Sequence, residues 1–181
     1  MKPHEPPNLD SPSPILVVGF GNSLRRDDGL GPRAAEVLSQ WGRPGVLALA
    51  VHQLLPELAE RLAAARLVLF VDARPVDQGD TITIQDLHTT THTWTLGHIS
   101  NPTQLLALTR ELYGRSPSAL LLSIPAFDLS LGEGLTAPAE AGLREALIQL
   151  DHLLLEDSTF VEHNHQVASP TENNSTHHTP K

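Results

Sequence analysis

Short apolar runs alternate with amphipathic helical stretches along most of this chain, and that alternation restricts the fold more than any other feature. Four runs bounded by turn residues or helical patterns predict buried parallel strands, at residues 15–20, 46–51, 67–72 and 119–124. A fifth run, 81–85, alternates and follows a turn, so it predicts an edge strand whose direction, parallel or antiparallel, the sequence leaves open. Because parallel strands need crossovers that are usually helical, we predict an α/β fold: a three-layer αβα sandwich around a mostly parallel five-stranded sheet.

Four helices are predicted between these strands, over residues 30–41, 56–65, 102–113 and 137–155. Proline opens the second and third helices, Gly114 ends the third, and Thr136 is the expected cap of the fourth. The apolar positions expected to face the sheet recur at helical spacing. They are Leu30, Ala34, Val37, Leu38 and Trp41; Leu58 and Leu62; Leu105, Leu108 and Leu112; and Leu143, Leu147, Leu150 and Leu154.

The 181 residues predict one α/β domain over 14–157, a flexible N-terminal segment over 1–13 and a disordered tail over 158–181 that contains four histidines. The formal net charge of −9 disfavours nucleic-acid binding. The chain has no cysteine, which excludes disulfides, thiolate metal sites and cysteine nucleophiles. No apolar run approaches the roughly 20 residues of a membrane span, and no secretory signal pattern precedes the first strand, so we expect a cytoplasmic protein.

A glycine-rich loop, residues 19–31, connects the first strand to the first helix. Ligands of open α/β sheets bind beyond the carboxyl ends of the strands, where this loop is expected to lie. The third glycine of a dinucleotide fingerprint and the lysine of a phosphate-binding loop are both missing, and the loop offers Asp27 and Asp28 instead. We expect Asp27 to cap the helix and Asp28 to point into the crevice. Asn22, Asp27 and Gly29 are expected to contact the substrate.

Two further side chains are candidates for the same edge of the sheet. Asp72 ends the apolar third strand, and His98 lies in the polar loop before the third helix, with His88 and His92 as nearby competitors. Central strands converge at this edge, so Asp28 and Asp72 can become neighbours in space. Two carboxylates and an imidazole would suit a borderline divalent ion such as nickel or zinc. A Gly132–Thr136 turn either shapes the crevice or caps the fourth helix.

The pattern Gly-x-Gly-Asn-x-Leu-x-x-Asp-Asp-Gly-x-Gly over residues 19–31 resembles the start of the hydrogenase maturation proteases. The resemblance continues at Val71-Asp72-Ala73, at the His98 loop, and at Ile124-Pro125 followed by the Gly132–Thr136 turn, covering roughly residues 14–155. It implies a cytoplasmic endopeptidase that removes the C-terminal extension of the nickel–iron hydrogenase large-subunit precursor after nickel insertion. It also implies that Asp28, Asp72 and His98 contact the nickel.

The sequence lacks the residues of the common protease chemistries: no nucleophile-elbow serine, no cysteine and no His-Glu-x-x-His motif is present. Our hypothesis is therefore that Asp28 and Asp72 are catalytic and that nickel, carried by the substrate rather than held permanently, docks on Asp28, Asp72 and His98. The aspartates could instead only recognise the ion. A nickel metallochaperone without proteolytic activity, and a small-molecule hydrolase with a resident zinc on Asp27 and Asp28, remain as alternatives.

Overall fold

The computed structural model describes residues 14–88 and 101–166, with side chains described up to residue 155. Its strands are β1 (Ile15–Phe20), β2 (Val46–Val51), β3 (Leu67–Pro75), β4 (Thr83–Leu87) and β5 (Ser118–Ala126). Its α-helices are α1 (Leu30–Gln40), α2 (Leu58–Ala64), α3 (Pro102–Tyr113) and α4 (Ala137–Gln166), and a 3₁₀ helix spans Arg26–Gly29. In the described ranges, no helix is long and apolar enough to cross a membrane.

The five strands form one sheet in the order β2-β1-β3-β5-β4. Neighbouring strands are parallel except at the edge, where β4 pairs antiparallel with β5. The α/β prediction is confirmed, and the open question about the edge strand is answered. The chain leaves β1 toward β2 on one side and places β3 on the other. The point at which strand order reverses therefore lies between β1 and β3, where open α/β sheets bind their ligands.

Helices cover both faces of the sheet. On one face, α2 and α3 pack on alternate residues of the central strands, because successive strand residues point to opposite faces. The buried side chains of this layer include Leu16, Val18, Val68, Phe70, Leu62, Leu105 and Leu106. On the other face α1 lies against β1, and a Cβ added at Gly142 of α4 would lie 3.2 Å from Ile124 Cγ2 of β5. The result is the predicted αβα arrangement.

Helix boundaries agree closely with the predictions at α3. Asn101 Oδ1 accepts a hydrogen bond from the Gln104 backbone N–H at 2.9 Å, Pro102 opens the helix, and Gly114 ends it at φ 71°. Two predicted core positions are wrong: Trp41 is 37% exposed and Leu112 is 60% exposed. Trp41 follows the last residue of α1 and lies under the Arg43 guanidinium, 5.3 Å from the ring centre.

The fourth helix runs to Gln166, beyond the predicted end at residue 155. No proline or glycine occurs between Gly142, in the second turn of the helix, and Pro170, so nothing in the backbone chemistry stops the helix at residue 155. Leu143, Leu150 and Leu154 are buried as predicted, while Leu147 is half-buried. The chain divides into the units Met1–Gln149 and Leu150–Lys181, with the boundary inside this helix. Residues 1–13 and 167–181, where the flexible segment and most of the tail are predicted, lie outside the described residues.

Candidate active site

Two glycines of the 19–31 loop allow the start of α1 to lie directly on the ends of β1 and β3. A Cβ at Gly31 would lie 2.4 Å from the carbonyl oxygens of Phe20 and Val71, and a Cβ at Gly19 would lie 1.9 Å from the Gly31 carbonyl oxygen. Neither position tolerates a larger residue without moving the backbone. This close approach brings the residues just before α1, including Asp28, to the end of β3.

Asp28 lies half-buried in the 3₁₀ helix that precedes α1. Its Oδ2 accepts a hydrogen bond from the Asn22 backbone N–H at 3.0 Å, which fixes the carboxylate across the loop. Asn22 in turn accepts the Leu24 backbone N–H on its Oδ1, also at 3.0 Å, so the loop is an ordered turn. Gly29 is buried, and a Cβ there would lie 3.1 Å from the Cα of Ser23.

Asp72 lies on β3, one residue after the last position that pairs with β1. Its Oδ1 accepts the Ala73 backbone N–H at 2.8 Å. Burial raises the pKa of the Asp72 carboxyl to about 7; the Ala73 hydrogen bond lowers it, and the negative charge of Asp28 raises it further. The close approach of Gly31 to the Val71 carbonyl oxygen places Asp28 and Asp72 at the same edge of the sheet, where the charge of Asp28 acts on Asp72.

Of the three candidate histidines, the structure describes only His88. His98 and His92 lie outside the described residues. His88 is described, and it follows β4 at the edge where β5 begins, because Leu87 pairs with Ala119. Asp72 pairs with Ser123, so His88 lies about 15 Å from it along the strands and is excluded as a partner. In the described part of the chain, no group of three His, Cys, Asp or Glu side chains could hold a metal ion.

Asp27 has an environment opposite to that of Asp28. Its side chain has no exposed surface, and four groups donate hydrogen bonds to it. These are the backbone N–H of Phe127 at 2.8 Å, of Asp128 at 3.0 Å and of Thr136 at 2.7 Å, and the Thr136 hydroxyl at 2.8 Å. Asp27 therefore binds the loop between β5 and α4.

Two roles assigned to Asp27 from the sequence are corrected by this geometry. The capping prediction is wrong, because neither the 3₁₀ helix nor α1 has a side-chain capping hydrogen bond. The carboxylate is enclosed by its four donors, which leaves no surface for a substrate to contact. For the same reason, an Asp27–Asp28 zinc site of the kind required by the small-molecule hydrolase alternative is not supported.

The Gly132–Thr136 turn has a structural role at both of its ends. The Gly132 backbone N–H donates to the Leu24 carbonyl, and its carbonyl accepts from the Arg26 N–H, each at 2.9 Å. Thr136 Oγ1 accepts the Ala139 N–H at 3.4 Å, which confirms Thr136 as the cap of α4. Arg26, the only described non-glycine residue with positive φ (46°), also lies 3.2 Å from Asp128 as an ion pair. The turn thus caps the helix and holds the Asp28 loop.

Sequence reasoning missed two hydroxyl residues at this edge, Ser123 and Thr83. Ser123 is buried on β5 in register with Asp72, and Thr83 on β4 is in register with Ser123. The available signal was a single polar residue inside the apolar run 119–124. What the described site offers chemically is a pair of neighbouring carboxylates at the sheet's reversal point, able to bind a cation, orient water or exchange a proton.

Comparisons with solved structures find the same fold among hydrogenase maturation proteases. Hydrogenase maturating endopeptidase HybD from E. coli is 25% identical, with a TM-score of 0.65, covering 80% of this chain and 93% of that one. NiFe hydrogenase maturation protease HycI from Thermococcus kodakarensis KOD1 is 22% identical, with a TM-score of 0.63, covering 80% and 94%. No protein-family model and no curated protein sequence matches the chain. The likeness to HybD agrees with the resemblance carried by residues 19–31 and confirms it.

Proposed function

We infer that this member of the hydrogenase maturation protease family is an endopeptidase that removes the C-terminal extension of a nickel–iron hydrogenase large-subunit precursor. HybD and HycI, whose names describe them as maturating endopeptidase and maturation protease, share its fold over most of their length. The proposal includes a cytoplasmic location and a substrate that already carries its nickel. Nickel is therefore part of the substrate and not a resident cofactor.

The observation that carries this proposal is the placement of Asp28 and Asp72 at the reversal point of the sheet, from distant parts of the sequence. Burial, and to a smaller extent the negative charge of Asp28, disfavour ionisation of Asp72 and raise its pKa to about 7. A divalent cation offered by the substrate would favour the ionised form of Asp72, which favours recognition of a metal-loaded precursor over an empty one.

In the proposed mechanism, Asp28 and Asp72 bind the substrate's nickel and place the adjacent peptide bond at the crevice, with His98 as the third ligand. Asn22 acts through its backbone N–H, which holds the Asp28 carboxylate in position. A carboxylate that is not occupied by the ion can orient the attacking water and accept its proton. The Asp27 contacts keep the loop rigid, so the ligand geometry is set before substrate arrives.

A cavity of about 320 Å³ lies beside the end of β5 and is a candidate binding place for part of an extended peptide substrate. Its walls include Ile82, Pro125, Phe127 and Pro138, with Glu145 among its acidic residues. Pro125 lies two positions beyond Ser123, which is in register with Asp72. A peptide held at the carboxylates would thus reach the cavity within about three residues. The cavity is of a size that accommodates one or two side chains.

The test is processing of the nickel-loaded precursor by Asp28→Asn and Asp72→Asn, which keep side-chain volume and remove charge. We expect each variant to slow processing at least about 100-fold, the scale of losing a group that positions or stabilises charge at the reaction centre. Asp86→Asn on β4 is the matched control, because Asp86 is exposed and lies toward the opposite edge. Parental processing rates in Asp28→Asn would refute the assigned role. Equal binding of nickel-loaded and nickel-free precursor would refute nickel recognition.

A further inference from the structure

Two leucines are strongly exposed on the loops that Asp27 joins. Leu131, in the loop between β5 and α4, is 83% exposed, the largest exposed fraction of any large apolar side chain in the described residues. Leu24, in the 19–31 loop, is 59% exposed. Isolated exposed leucines are common on protein surfaces, whereas apolar side chains that lie together on a surface mark interaction sites.

Backbone pairing brings these two leucines together. The Gly132 backbone N–H donates to the Leu24 carbonyl at 2.9 Å, as part of a parallel bridge between Arg25 and Gly132. Leu24 and Leu131 each lie one residue before this bridge, so they are neighbours across it, on backbone segments about 4.8 Å apart. We call these two residues the leucine pair.

The leucine pair is exposed on a rigid support. The Asp128 backbone N–H donates to Asp27 Oδ2 at 3.0 Å, and the Ser130 N–H donates to Asp128 Oδ1 at 2.8 Å. The Leu129 carbonyl accepts from Arg25 Nε at 3.1 Å. Polar groups of the two loops are thus hydrogen-bonded within the protein, while two of their apolar side chains face water. A rigid apolar surface loses little conformational entropy when a partner covers it.

The position of Asp28 indicates which partner covers the leucine pair. The Leu24 N–H donates to Asn22 Oδ1 and the Asn22 N–H donates to Asp28 Oδ2, each at 3.0 Å, so Leu24 belongs to the same turn as the carboxylate. At the other end of the Leu131 loop, Phe127 lines the cavity beside β5. A protein that brings its bound ion to Asp28 therefore also meets the leucine pair. A second copy of this chain seated there would compete with the substrate.

We propose that the leucine pair is a docking surface for an apolar patch on the folded body of the nickel–iron hydrogenase large-subunit precursor, outside the peptide segment that is cut. The docking surface rests on the proposed function and adds the place where the body of the substrate binds. Burial of the two side chains supplies affinity, and the rigid loops orient the precursor so that its ion meets the carboxylates. Leu24 and Leu131 are binding residues and take no part in the chemical step.

The experiment compares Leu24→Ser, Leu131→Ser and Leu131→Met with the parent enzyme in steady-state processing of the nickel-loaded precursor. We expect KM to rise about tenfold in each serine variant, because apolar area that is buried on binding is lost, with kcat within about twofold. Leu131→Met keeps an apolar side chain of similar size and should keep the parental KM. Leu112→Ser is the matched control, because Leu112 is 60% exposed near the end of α3, at the opposite edge of the sheet from Asp28.

Thermal unfolding and the oligomeric state separate docking from other roles. Both leucines are exposed, so Tm should stay within about 2 °C of the parent in the serine variants. Raised KM in the serine variants, with parental KM in Leu131→Met and Leu112→Ser, supports the docking surface. Parental KM in both serine variants overturns it and leaves the proposed function intact, and so does a parent dimer that Leu131→Ser converts to a monomer with parental KM. A parent enzyme that does not cleave the precursor overturns both proposals.

Discussion

Asp27 and Asp28 are adjacent in the chain, yet their carboxylates have opposite surroundings. Asp27 is fully buried and accepts four hydrogen bonds from the loop between β5 and α4. Asp28 is half-buried and accepts one hydrogen bond from within its own loop, and its negative charge helps to raise the pKa of the Asp72 carboxyl. The Asp27 carboxylate is fully hydrogen-bonded within the protein, whereas the Asp28 carboxylate has one hydrogen bond and lies at the same edge of the sheet as another carboxyl group.

This difference separates the part of the loop that stabilises the fold from the part available for chemistry. A carboxylate surrounded by hydrogen-bond donors stabilises the fold and has no free acceptor position for a ligand. A carboxylate beside another carboxylate is unfavourable in the free protein and gains from a bound cation. We therefore expect changes at Asp27 to affect mainly the free energy of unfolding, and changes at Asp28 and Asp72 to affect mainly processing.

The largest expected effect on stability is that of Asp27→Asn. The amide group would present an NH₂ where the carboxylate now accepts, leaving at least one backbone N–H of Phe127, Asp128 or Thr136 without a partner. Hydrogen bonds to a charged group contribute about 1.5–3 kcal/mol each, so we expect a loss of about 3 kcal/mol or more. Urea unfolding followed by circular dichroism measures it.

Asp28→Asn is the matched comparison for that measurement, since it makes the same chemical change one residue later. It weakens one hydrogen bond but also removes repulsion with Asp72, so we expect its free energy of unfolding to stay within about 1 kcal/mol of the parent. Equal losses in the two variants would show that the two aspartates are not divided between stability and function as described.

A smaller loss is expected for Thr136→Val, which removes one of the four donors to Asp27 and the cap of α4 but leaves the backbone contact. The expected cost is about 1–2 kcal/mol in the free energy of unfolding. Thr103→Val is the control, because the Thr103 hydroxyl donates to Asn101 at the surface. Combined with Asp27→Asn, the Thr136 change should cost less than it does alone, since both changes alter the contact between Asp27 and Thr136. Full additivity would contradict the shared contact.

The sheet could be predicted from the sequence because its signal is local. Apolar runs and helical spacing gave β1, β2 and α3 their observed bounds, whereas β3 continues to Pro75, three residues beyond the end predicted at Asp72. The general rule that central strands converge at the carboxyl edge predicted that Asp28 and Asp72 lie on the same side of the sheet. Helix ends depended on weaker signals, so Trp41 and the end of α4 were predicted less well.

The structural role of Asp27 could not be predicted from local sequence patterns. Its partners Phe127, Asp128 and Thr136 lie about a hundred residues further along the chain. An aspartate before a helix has a local explanation as a cap, and that explanation is wrong here. Ser123 and Thr83 were missed for a related reason. Their significance depends on register across three strands, which strand-by-strand patterns do not contain.

The smallest expected effect concerns the coupling between Asp28 and Asp72. Burial is the main reason why the pKa of Asp72 is raised to about 7, and the Asp28 charge contributes less. Asp28→Asn should therefore lower the pKa of Asp72 while leaving it well above the ordinary value near 3.9. Carboxyl-carbon NMR titration of the two proteins measures this shift. An unchanged pKa would contradict the proximity of the two groups.

The same raised pKa predicts how stability depends on pH. Between about pH 4 and 7 the native Asp72 holds a proton that the unfolded chain has released, so its contribution to stability is complete below about pH 4 and is lost as the pH rises through 7. Asp72→Asn cannot ionise, and its free energy of unfolding should fall less than that of the parent between pH 5 and pH 8. Urea titrations at these two pH values measure the difference. If the parent loses no more stability than Asp72→Asn, the Asp72 carboxyl is not buried as described, and the contrast with the fully hydrogen-bonded Asp27 would have to rest on hydrogen bonding alone.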